Sequence, residues 1–498
     1  MIELGLQRIS RLLQDTPLPW RAVHVAGTNG KGSVCTQISS MLDLYNDSNY
    51  RKEMNQPRLS HARFMSPHLI DRWDCITINQ KTVPFKLFDH IERQVLKRND
   101  REGIDASEFE LLTATAFEIF NHENVDIGVV EVGMGGRLDA TNIIAQMSAE
   151  SRQAEAGGMA VRAPPLVTAI TAVGLDHQGF LGNTLTEIAR QKAGIIKPGV
   201  PVVYDASNNI EVQDVIEAQA QDNRVVEWKS RSLPVAHLAY DSSTPVDRRN
   251  HFWSHHESQD LPIYYRDNFS VAFRATLTAL QELRLYPREF KQKDKPDVAC
   301  YPRESMSAMV EGLEDHLPAR ELATAMLNMP LSTVPGRLQK IDLRTLGIPR
   351  EEGVLLDGAH NPQAAKMLEM SLDREMQNAD PIVWVLAFTS TKEVDDILGI
   401  ILRRGDTVIA VEFGPVDGMP WVEPMKSADI VKTVKSVDGC NPGQAFGSDL
   451  LGALRAAHEV SIQNGGLDHQ LPIVIAGSLY LVADVLRLLR ASESKAKG

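Results

Sequence analysis

The sequence predicts an α/β protein of two domains, each built on a mainly parallel sheet. Apolar runs recur without polar alternation, among them residues 127–132 (IGVVEV) and 166–173 (LVTAITAV), and such runs are typical of parallel strands buried on both faces. Near the N-terminus a strand pattern, a glycine-rich loop and a helical pattern follow one another. That order is typical of phosphate-binding α/β proteins.

The length and the spacing of the apolar runs predict two domains. A chain of 498 residues is too long for one ordinary core. A new rhythm of strands and helices begins near Pro335, so we expect a first domain over residues 1–330 and a smaller α/β domain over residues 331–498. Predicted strands of the second domain lie at 353–356, 381–388, 406–413 and 472–477, and predicted helices at 448–463 and 478–489.

Four segments look like insertions on the surface. They are polar or rich in Pro, Ser, Gly or charge, which is typical of exposed loops. We expect surface loops over residues 46–63, 145–165, 240–261 and 290–305.

Composition narrows the class of function. The formal charge of -13, from 52 basic and 65 acidic side chains, argues against a protein that binds nucleic acid. The four cysteines form no C-x-x-C pair, so neither a zinc site nor a disulfide framework is indicated. No apolar run reaches the length of a membrane span, and the N-terminus lacks the layout of a signal peptide. We expect a cytoplasmic protein, with a mitochondrial location as the alternative.

Residues 24–34 (HVAGTNGKGSV) form the candidate phosphate loop. They depart from the usual template G-x-x-x-x-G-K-[ST], because the first glycine comes late and Gly32 separates Lys31 from Ser33. Backbone N–H groups, a helix N-terminus and a lysine are nevertheless present together, and these hold nucleotide phosphates. The expected phosphate contacts are Gly27, Thr28, Asn29, Gly30, Lys31, Gly32 and Ser33.

Oxygen ligands for magnesium accompany this loop. Ser33 and the strand-end Glu131 suit a magnesium ion bound to phosphates. His177, at the same sheet edge, is a further ligand or a hydrogen-bond donor to phosphate. Ser66, in Ser66-Pro67-His68, is equally well explained as part of a turn after an edge strand.

Two further polar positions leave alternatives open. Lys192 lies late in a predicted helix that ends at Gly194, and its spacing alone favours a cation at a helix C-terminus. The segment Asp357-Gly358-Ala359-His360-Asn361 follows a buried strand of the second domain. It is either a strand exit capped by Asn361 or a polar cluster facing a bound ligand.

The motifs HVAGTNGKGSV, FMSPHL, EVGMGGRLDATN, GLDHQGFLGNTLTEIARQKAGIIKPG, PGRLQ, LLDGAHNP and IAGSLYLVADVL occur in this order. Together they resemble the folylpolyglutamate synthase and dihydrofolate synthase family, which belongs to the Mur ligases. The resemblance runs from the N-terminus to about Leu489. It implies an N-terminal P-loop ATPase domain of the Mur-ligase type and a Rossmann-like C-terminal domain.

The resemblance implies a catalytic set of Lys31, His177 and Lys192. Lys31 would contact the transferred phosphoryl group, and Lys192 matches a lysine that is carbamylated to support a second metal. Two magnesium ions would be surrounded by Ser33, Ser66, Glu131 and His177.

Further nucleotide contacts implied by the resemblance are Asn268, Arg337, Asp357 and His360. The glutamine that usually shortly precedes the asparagine is missing from this chain.

In this family ATP converts a carboxylate into an acyl phosphate, and the amino group of glutamate displaces phosphate to form an amide. We favour a dihydrofolate synthase of the fungal type, which joins 7,8-dihydropteroate to L-glutamate, because the chain opens with IELGLQRISRLL and its loop reads GTNGKGS. The alternative is a folylpolyglutamate synthase acting on reduced folates, or a bifunctional enzyme. Family precedent predicts a monomer whose partners are small molecules, with neither nucleic acid nor a membrane among them.

Other classes of protein fit less well. The loop alone would suit a GTPase or a kinase. A nucleotide-binding regulator without turnover would need no apparatus for a second metal, and the joint presence of Lys31, Glu131, His177 and Lys192 argues against it.

Overall fold

A computed structural model describes most of the chain. The described residues are 5–144, 162–223, 225, 227–229, 263–285, 322, 325, 334–375, 381–390, 394–465 and 470–497. By contacts the chain divides into two compact units. Unit 1 comprises Met1–Pro67 and Trp73–Met329, and unit 2 comprises His68–Arg72 and Pro330–Gly498.

Unit 1 contains a sheet of eight strands among its described residues. The strands are β1 (Arg21–Ala26), β2 (His61–Phe64), β3 (Ile76–Ile78), β4 (Lys81–Thr82), β5 (Ile127–Glu131), β6 (Val167–Ile170), β7 (Val202–Tyr204) and β8 (Glu227–Lys229). The helices are α1 (Gln7–Leu12), α2 (Lys31–Asp47), α3 (Asn49–Glu53), α4 (Phe85–Glu102), α5 (Glu108–His122), α6 (Gln178–Leu181), α7 (Leu185–Ala193), α8 (Ile210–Asp222) and α9 (Ile263–Leu285), and a 3₁₀ turn spans Ala140–Ile143.

The strand order places the phosphate loop at a switch point of the sheet. The order is β4-β3-β2-β5-β1-β6-β7-β8, and the six strands from β2 to β8 in it are parallel. The chain moves from β1 to one side for β2 and β5, and then crosses to the other side for β6. Ligands of open α/β sheets bind at the carboxyl ends of the strands around such a point.

Strand β1 is buried along its whole length because helices cover both faces of the sheet. Val23 and Val25 pack with α2 and α9, whereas Ala22 packs on the opposite face with α1, α4 and α5. Successive side chains of a strand point to opposite faces. This explains why the predicted strands read as continuous apolar runs, and it confirms the predicted mainly parallel sheet.

Unit 2 carries a smaller sheet of six strands among its described residues. The strands are β9 (Gln339–Ile341), β10 (Val354–Leu356), β11 (Val383–Leu386), β12 (Thr407–Ala410), β13 (Asn441–Ala445) and β14 (Ile473–Ala476). The helices are α10 (Pro362–Glu375), α11 (Val394–Ile401), α12 (Ser427–Val434), α13 (Leu450–Gly465) and α14 (Leu479–Lys497), with a 3₁₀ turn at Arg344–Leu346. The order is β13-β12-β11-β14-β10-β9, and only β9 in it is antiparallel.

A short segment of the N-terminal half completes unit 2. Arg487 of α14 donates through Nε to the Ile70 carbonyl at 3.2 Å and through Nη2 to the same oxygen at 3.0 Å. Leu69 packs against the core formed by α13, α14 and one sheet face. An ion pair between Arg490 and Asp71 holds the far end of the segment.

The expected surface loop over residues 46–63 is partly wrong: residues 49–60 are exposed or half-buried as expected, but helix and strand occupy much of the segment. Helix α2 continues to Asp47, α3 follows, and β2 begins at His61. The buried Asn46 amide exchanges two hydrogen bonds with the backbone of Leu59, at 2.8 Å and 2.7 Å, so one polar side chain ties the two ends of this segment together. Residues 145–161, and the expected loops 240–261 and 290–305, lie outside the described residues.

Within the described part of the chain, no helix combines the length and the apolar character that crossing a bilayer requires.

Candidate active site

Two glycines shape the phosphate loop between β1 and α2. Gly30 has φ +88°, a left-handed conformation that glycine adopts without strain, and a Cβ there would overlap the Asn268 amide oxygen. A Cβ at Gly27 would overlap Thr171 Oγ1. The loop therefore closes tightly against both β6 and α9.

Hydrogen bonds to the end of β6 fix the loop. The N–H groups of Thr28 and Asn29 donate to the Ala172 carbonyl at 2.8 Å and 3.2 Å. Thr28 Oγ1 donates to the Gly174 carbonyl at 3.0 Å, and Thr171 Oγ1 donates to the Asn29 carbonyl at 2.6 Å. The backbone of the loop is thus set before any ligand arrives.

Lys31, Glu131 and Ser66 come together beside the loop. Lys31 Nζ lies 3.9 Å from Glu131 Oε1 and donates to the Thr28 carbonyl at 3.2 Å. The backbone N–H of Ser66 donates to Glu131 Oε2 at 3.3 Å. A Cβ at Gly32 would stand 3.5 Å from that same oxygen. The Glu131 carboxylate at the end of β5 therefore faces both the first turn of α2 and Ser66.

His177 occupies the loop after β6, the strand on the other side of β1. It has φ +53°, its side chain is 49% exposed, and its Nε2 lies 4.0 Å from Asp176 Oδ2. The backbone N–H of His177 donates to Asp176 Oδ1 at 2.9 Å. Asp176 thus orients this turn, and we did not single it out from the sequence.

Lys192 is buried and reaches the phosphate loop. Its side chain, on α7, is 3% exposed, and Nζ donates to the Gly27 carbonyl at 2.7 Å. Lys192 does lie in the last turn of its helix, as its spacing predicts, but its Nζ is buried and bonded to the phosphate loop, which a helix-end cation alone does not explain. Burial first, and then the positive charge of Lys31, lower the Lys192 pKa to about 7, against the opposing effect of Asp176 and Asp139.

Asn268, for which the resemblance implies a contact with ATP, lies against the phosphate loop. Helix α9 packs along α2, where Phe269 and Phe273 stack with ring centroids 5.8 Å apart. Asn268 is 9% exposed, and its Nδ2 would stand 3.2 Å from a Cβ at Gly30.

The residues singled out in unit 2 gather at the carboxyl end of β10. Asp357 accepts from the N–H groups of Leu338 at 2.9 Å and Ala359 at 2.8 Å. Burial raises the Asp357 pKa, and Arg337 opposes the change. His360 Nδ1 lies 2.7 Å from the Gly358 carbonyl. A carbonyl only accepts, so Nδ1 carries the hydrogen and Nε2 is an acceptor when the ring is neutral.

Asn361 caps the helix that follows. Its Oδ1 accepts from the Ala364 N–H at 2.8 Å at the start of α10. The strand-exit interpretation of the segment thus describes Asp357 and Asn361, whose oxygens accept from backbone N–H groups. Arg337 Nη1 lies beside this turn, 3.2 Å from the Cβ position of Gly358.

The polar groups of unit 1 fit a magnesium ion that is shared with phosphates. Glu131 carries a carboxylate at the end of β5, Ser33 lies in the first turn of α2, and Ser66 contacts Glu131 through its backbone. Magnesium favours such oxygen ligands and retains water. Among the described residues no group of three His, Cys, Asp or Glu forms an all-protein metal site.

The fold and the residues at the carboxyl ends of the unit 1 strands define a nucleotide-binding α/β protein. It has a phosphate loop, a carboxylate beside the lysine of that loop, and a second, buried lysine. Residues 339–488 match the family model described as "Dihydrofolate synthetase, C-terminal domain". The chain is 32% identical over 493 residues to a probable dihydrofolate synthetase of Schizosaccharomyces pombe, covering 98% of this chain and 99% of that protein. It is also 32% identical over 498 residues to a dihydrofolate synthetase of Saccharomyces cerevisiae, covering 98% of each.

A solved structure shares the fold. It is the bifunctional folylpolyglutamate synthase/dihydrofolate synthase of Yersinia pestis, complexed with AMPPNP and Mn ion. The TM-score is 0.64 at 22% identity, and the match covers 98% of this chain and 94% of that chain. This chain belongs to the dihydrofolate synthetase family, and it is an ATP-dependent ligase of folate metabolism.

Proposed function

We propose that this ligase joins the carboxylate of 7,8-dihydropteroate to the amino group of L-glutamate, giving dihydrofolate, ADP and phosphate. The observation that carries this proposal is the meeting of Lys31, Glu131 and buried Lys192 on one phosphate loop. The two yeast relatives, which match over nearly their whole length, support the substrate.

A carboxylate needs a leaving group before an amine can displace it. In the first step its oxygen attacks the γ-phosphorus of ATP, the bond to ADP breaks, and an acyl phosphate forms. Lys31 would stabilise the negative charge spread over the transferred group. Glutamate nitrogen then attacks the acyl carbon, phosphate leaves with the bonding electrons, and the nitrogen loses a proton.

We propose Ser33, Ser66, Glu131 and His177 as the residues that hold magnesium. When bound, the ion offsets the negative charge of the phosphates. The backbone bond from Ser66 to Glu131 orients the carboxylate, and Asp176 orients the turn of His177.

We propose that residues of both units contact the nucleotide. They are Gly27, Thr28, Asn29, Gly30, Lys31, Gly32, Ser33 and Asn268 in unit 1, and Arg337, Asp357 and His360 in unit 2. Asp357 would act through the turn that it shapes, because both of its oxygens accept from backbone N–H groups.

Lys192 is proposed to be carbamylated. A pKa of about 7 leaves much of the amine neutral near physiological pH. The neutral nitrogen attacks CO₂, a C–N bond forms, and one proton is released, which gives a carboxylate on the side chain. That carboxylate would face the phosphate loop and support a second metal.

Phosphate release tests the proposal. Purified protein receives ATP, magnesium and glutamate with either dihydropteroate or tetrahydrofolate as acceptor. We expect turnover with dihydropteroate only, abolished in Lys192→Ala and retained in the exposed-helix control Lys97→Met. Turnover with tetrahydrofolate only would identify a folylpolyglutamate synthase, and turnover with both a bifunctional enzyme. Nucleotide binding without turnover would identify a regulator.

We further propose that the protein is a monomer and that it acts in the cytoplasm, with the mitochondrion as the alternative. Sedimentation of the purified protein tests the first point. Fractionation of cells tests the second.

A further inference from the structure

The 3₁₀ turn Ala140–Ile143 lies between β1 and α7, and it is bonded to both. On the strand side, Thr141 Oγ1 donates to Asp139 Oδ1 at 2.6 Å. The hydroxyl therefore accepts from His24 Nε2, 2.9 Å away, and this nitrogen carries the hydrogen. One end of the turn is thus fixed to the strand that leads into Gly27.

On the helix side, Asn142 binds the turn to the end of α7. Its Nδ2 donates to the Gly194 carbonyl at 3.2 Å and to the Arg137 carbonyl at 3.0 Å. The Arg137 N–H in turn donates to the Gln191 carbonyl at 2.7 Å. Carbonyls at a helix C-terminus have no partner within the helix, so this loop supplies partners from outside.

Close packing leaves little freedom between α7 and the segment from Gly136 to the 3₁₀ turn. A Cβ at Gly136 would stand 2.8 Å from the Gln191 carbonyl oxygen and 2.9 Å from that of Lys192. A Cβ at Gly194 would stand 2.7 Å from the Arg137 Cα. The backbone on either side of Lys192 is therefore held against the segment that leads to the 3₁₀ turn.

Lys197 selects the orientation of the Asn142 amide. Its Nζ lies 2.7 Å from Asn142 Oδ1, and an ammonium group only donates. The amide oxygen must therefore face Lys197, which leaves both N–H bonds of the amide for the two carbonyls. Asn142 is 3% exposed, so water does not readily replace these bonds.

We propose that Asn142 and Lys197 are positioning residues that fix Lys192 of α7 at the phosphate loop. The turn sets the separation between the strand that carries Gly27 and the helix that carries Lys192, whose Nζ reaches the Gly27 carbonyl. The inference rests on the proposed role of Lys192. It adds that the placement of this lysine depends on two side chains that do not touch the loop.

Two variants separate the parts of this arrangement. Asn142→Asp keeps the size of the side chain and its pairing with Lys197, but it cannot donate to the two carbonyls. Lys197→Met keeps much of the length and removes the donor. Asn209→Asp, at an exposed helix N-terminus, and Lys97→Met, on the exposed face of α4, are the matched controls.

The test measures phosphate release against added bicarbonate in buffer freed of CO₂, together with the melting temperature and nucleotide affinity. We expect Asn142→Asp to need roughly tenfold more bicarbonate for half-maximal turnover, and Lys197→Met roughly threefold more, with nucleotide affinity unchanged in both. The controls should match the wild type. If Asn142→Asp fails to fold, Lys197→Met decides the matter.

Wild-type bicarbonate dependence in both variants would overturn the proposal. So would a loss of turnover that bicarbonate does not restore and that follows a lower melting temperature. If wild-type turnover is independent of bicarbonate, the proposed carbamylation of Lys192 is wrong, and the kcat of the variants then tests the positioning role. A tenfold lower kcat in Asn142→Asp at unchanged nucleotide affinity and melting temperature would then support positioning, and an unchanged kcat would overturn it.

Discussion

At the scale of single residues, the loop glycines have different reasons to be glycine. Gly27 and Gly30 avoid overlap with Thr171 and Asn268. Gly32 avoids none, because its Cβ would stand at ordinary contact distance from Glu131 Oε2, 3.5 Å, and from Met65 Sδ, 3.8 Å. What Gly32 leaves open is the space beside the carboxylate proposed to hold magnesium.

Gly32→Ala should therefore fold normally and respond poorly to magnesium. We expect a melting temperature close to that of the wild type and an approximately tenfold higher magnesium concentration for half-maximal turnover, because the methyl group displaces water from Glu131. Gly30→Ala is the contrast: its φ of +88° should destabilise the fold by about 1 kcal/mol or more. An unchanged magnesium requirement in Gly32→Ala would refute this account of the residue.

Lys192 should make stability depend on pH. Its folded pKa of about 7 lies below its value in an unfolded chain, so between these values the unfolded chain binds the extra proton and stability rises with pH. Lys192→Met should remove this dependence. Between pH 7 and pH 9.5 the unfolding free energy of the wild type should rise by about 3 kcal/mol relative to that of Lys192→Met.

Urea unfolding in buffer freed of CO₂ measures that difference. Lys97→Met, on an exposed helix face, should shift the unfolding free energy equally at every pH. A constant difference between Lys192→Met and the wild type would show that the lysine is not strained by burial.

At the scale of elements, helix α7 is fixed at both ends. Thr184 and Glu187 form a capping box at its start, with the Glu187 N–H donating to Thr184 Oγ1 at 3.2 Å. The loop described above binds its end. The helix that carries Lys192 is thus defined by partners at its termini as well as by its buried face.

Thr184→Ala should cost about 1 kcal/mol of stability, as the loss of a helix cap does, and should also lower turnover. Ser107→Ala removes the equivalent cap from α5 and should cost a similar amount without a comparable change in turnover. Chemical unfolding and phosphate release, measured on both variants, check this. Equal effects of the two variants on turnover would contradict it.

The elements also show what the sequence could predict. Strands β5 and β6 were predictable because central parallel strands are apolar throughout. Polarity correctly predicted exposure for residues 49–60, but it concealed the helices and strand of the segment 46–63 and the role of Asn46, which is 2% exposed and bonded to the backbone of Leu59. The sequence shows which residues are polar, but it does not show which polar side chains are buried and hydrogen-bonded in the fold.

The site follows the same division. The position of Lys31 at the start of α2 and that of Glu131 at the end of β5 could be predicted from the glycine loop and the rules of parallel sheets. Asn142 and Lys197 could not, even though both lie in motifs that we noted, because their roles depend on bonds to carbonyls and amides far along the chain. Only the folded structure brings those groups together.

At the scale of the whole molecule, unit 2 depends on a segment from far upstream. Arg487 makes its bonds to the carbonyls of Leu69 and Ile70 with a partly buried guanidinium. Arg487→Ala should lower the stability of unit 2 by about 1.5–3 kcal/mol, the range for hydrogen bonds to charged groups. Arg455→Ala, on the exposed side of α13, should have little effect.

Hydrogen exchange resolved by peptide checks this prediction. Protection should fall in α14 and β14 of the Arg487→Ala protein, while β1 and β5 of unit 1 keep theirs. Unchanged protection in α14 would mean that the segment adds nothing to unit 2.

That segment has a consequence for the order of folding during synthesis. Residues 68–72 leave the ribosome more than 250 residues before the main part of unit 2, which starts at Pro330. Domains generally fold as units, the N-terminal one first. Unit 2 cannot do so from its own continuous stretch of chain, because five of its residues were made with unit 1 and must wait for α14. Helix α14 therefore completes a unit that includes residues translated together with unit 1.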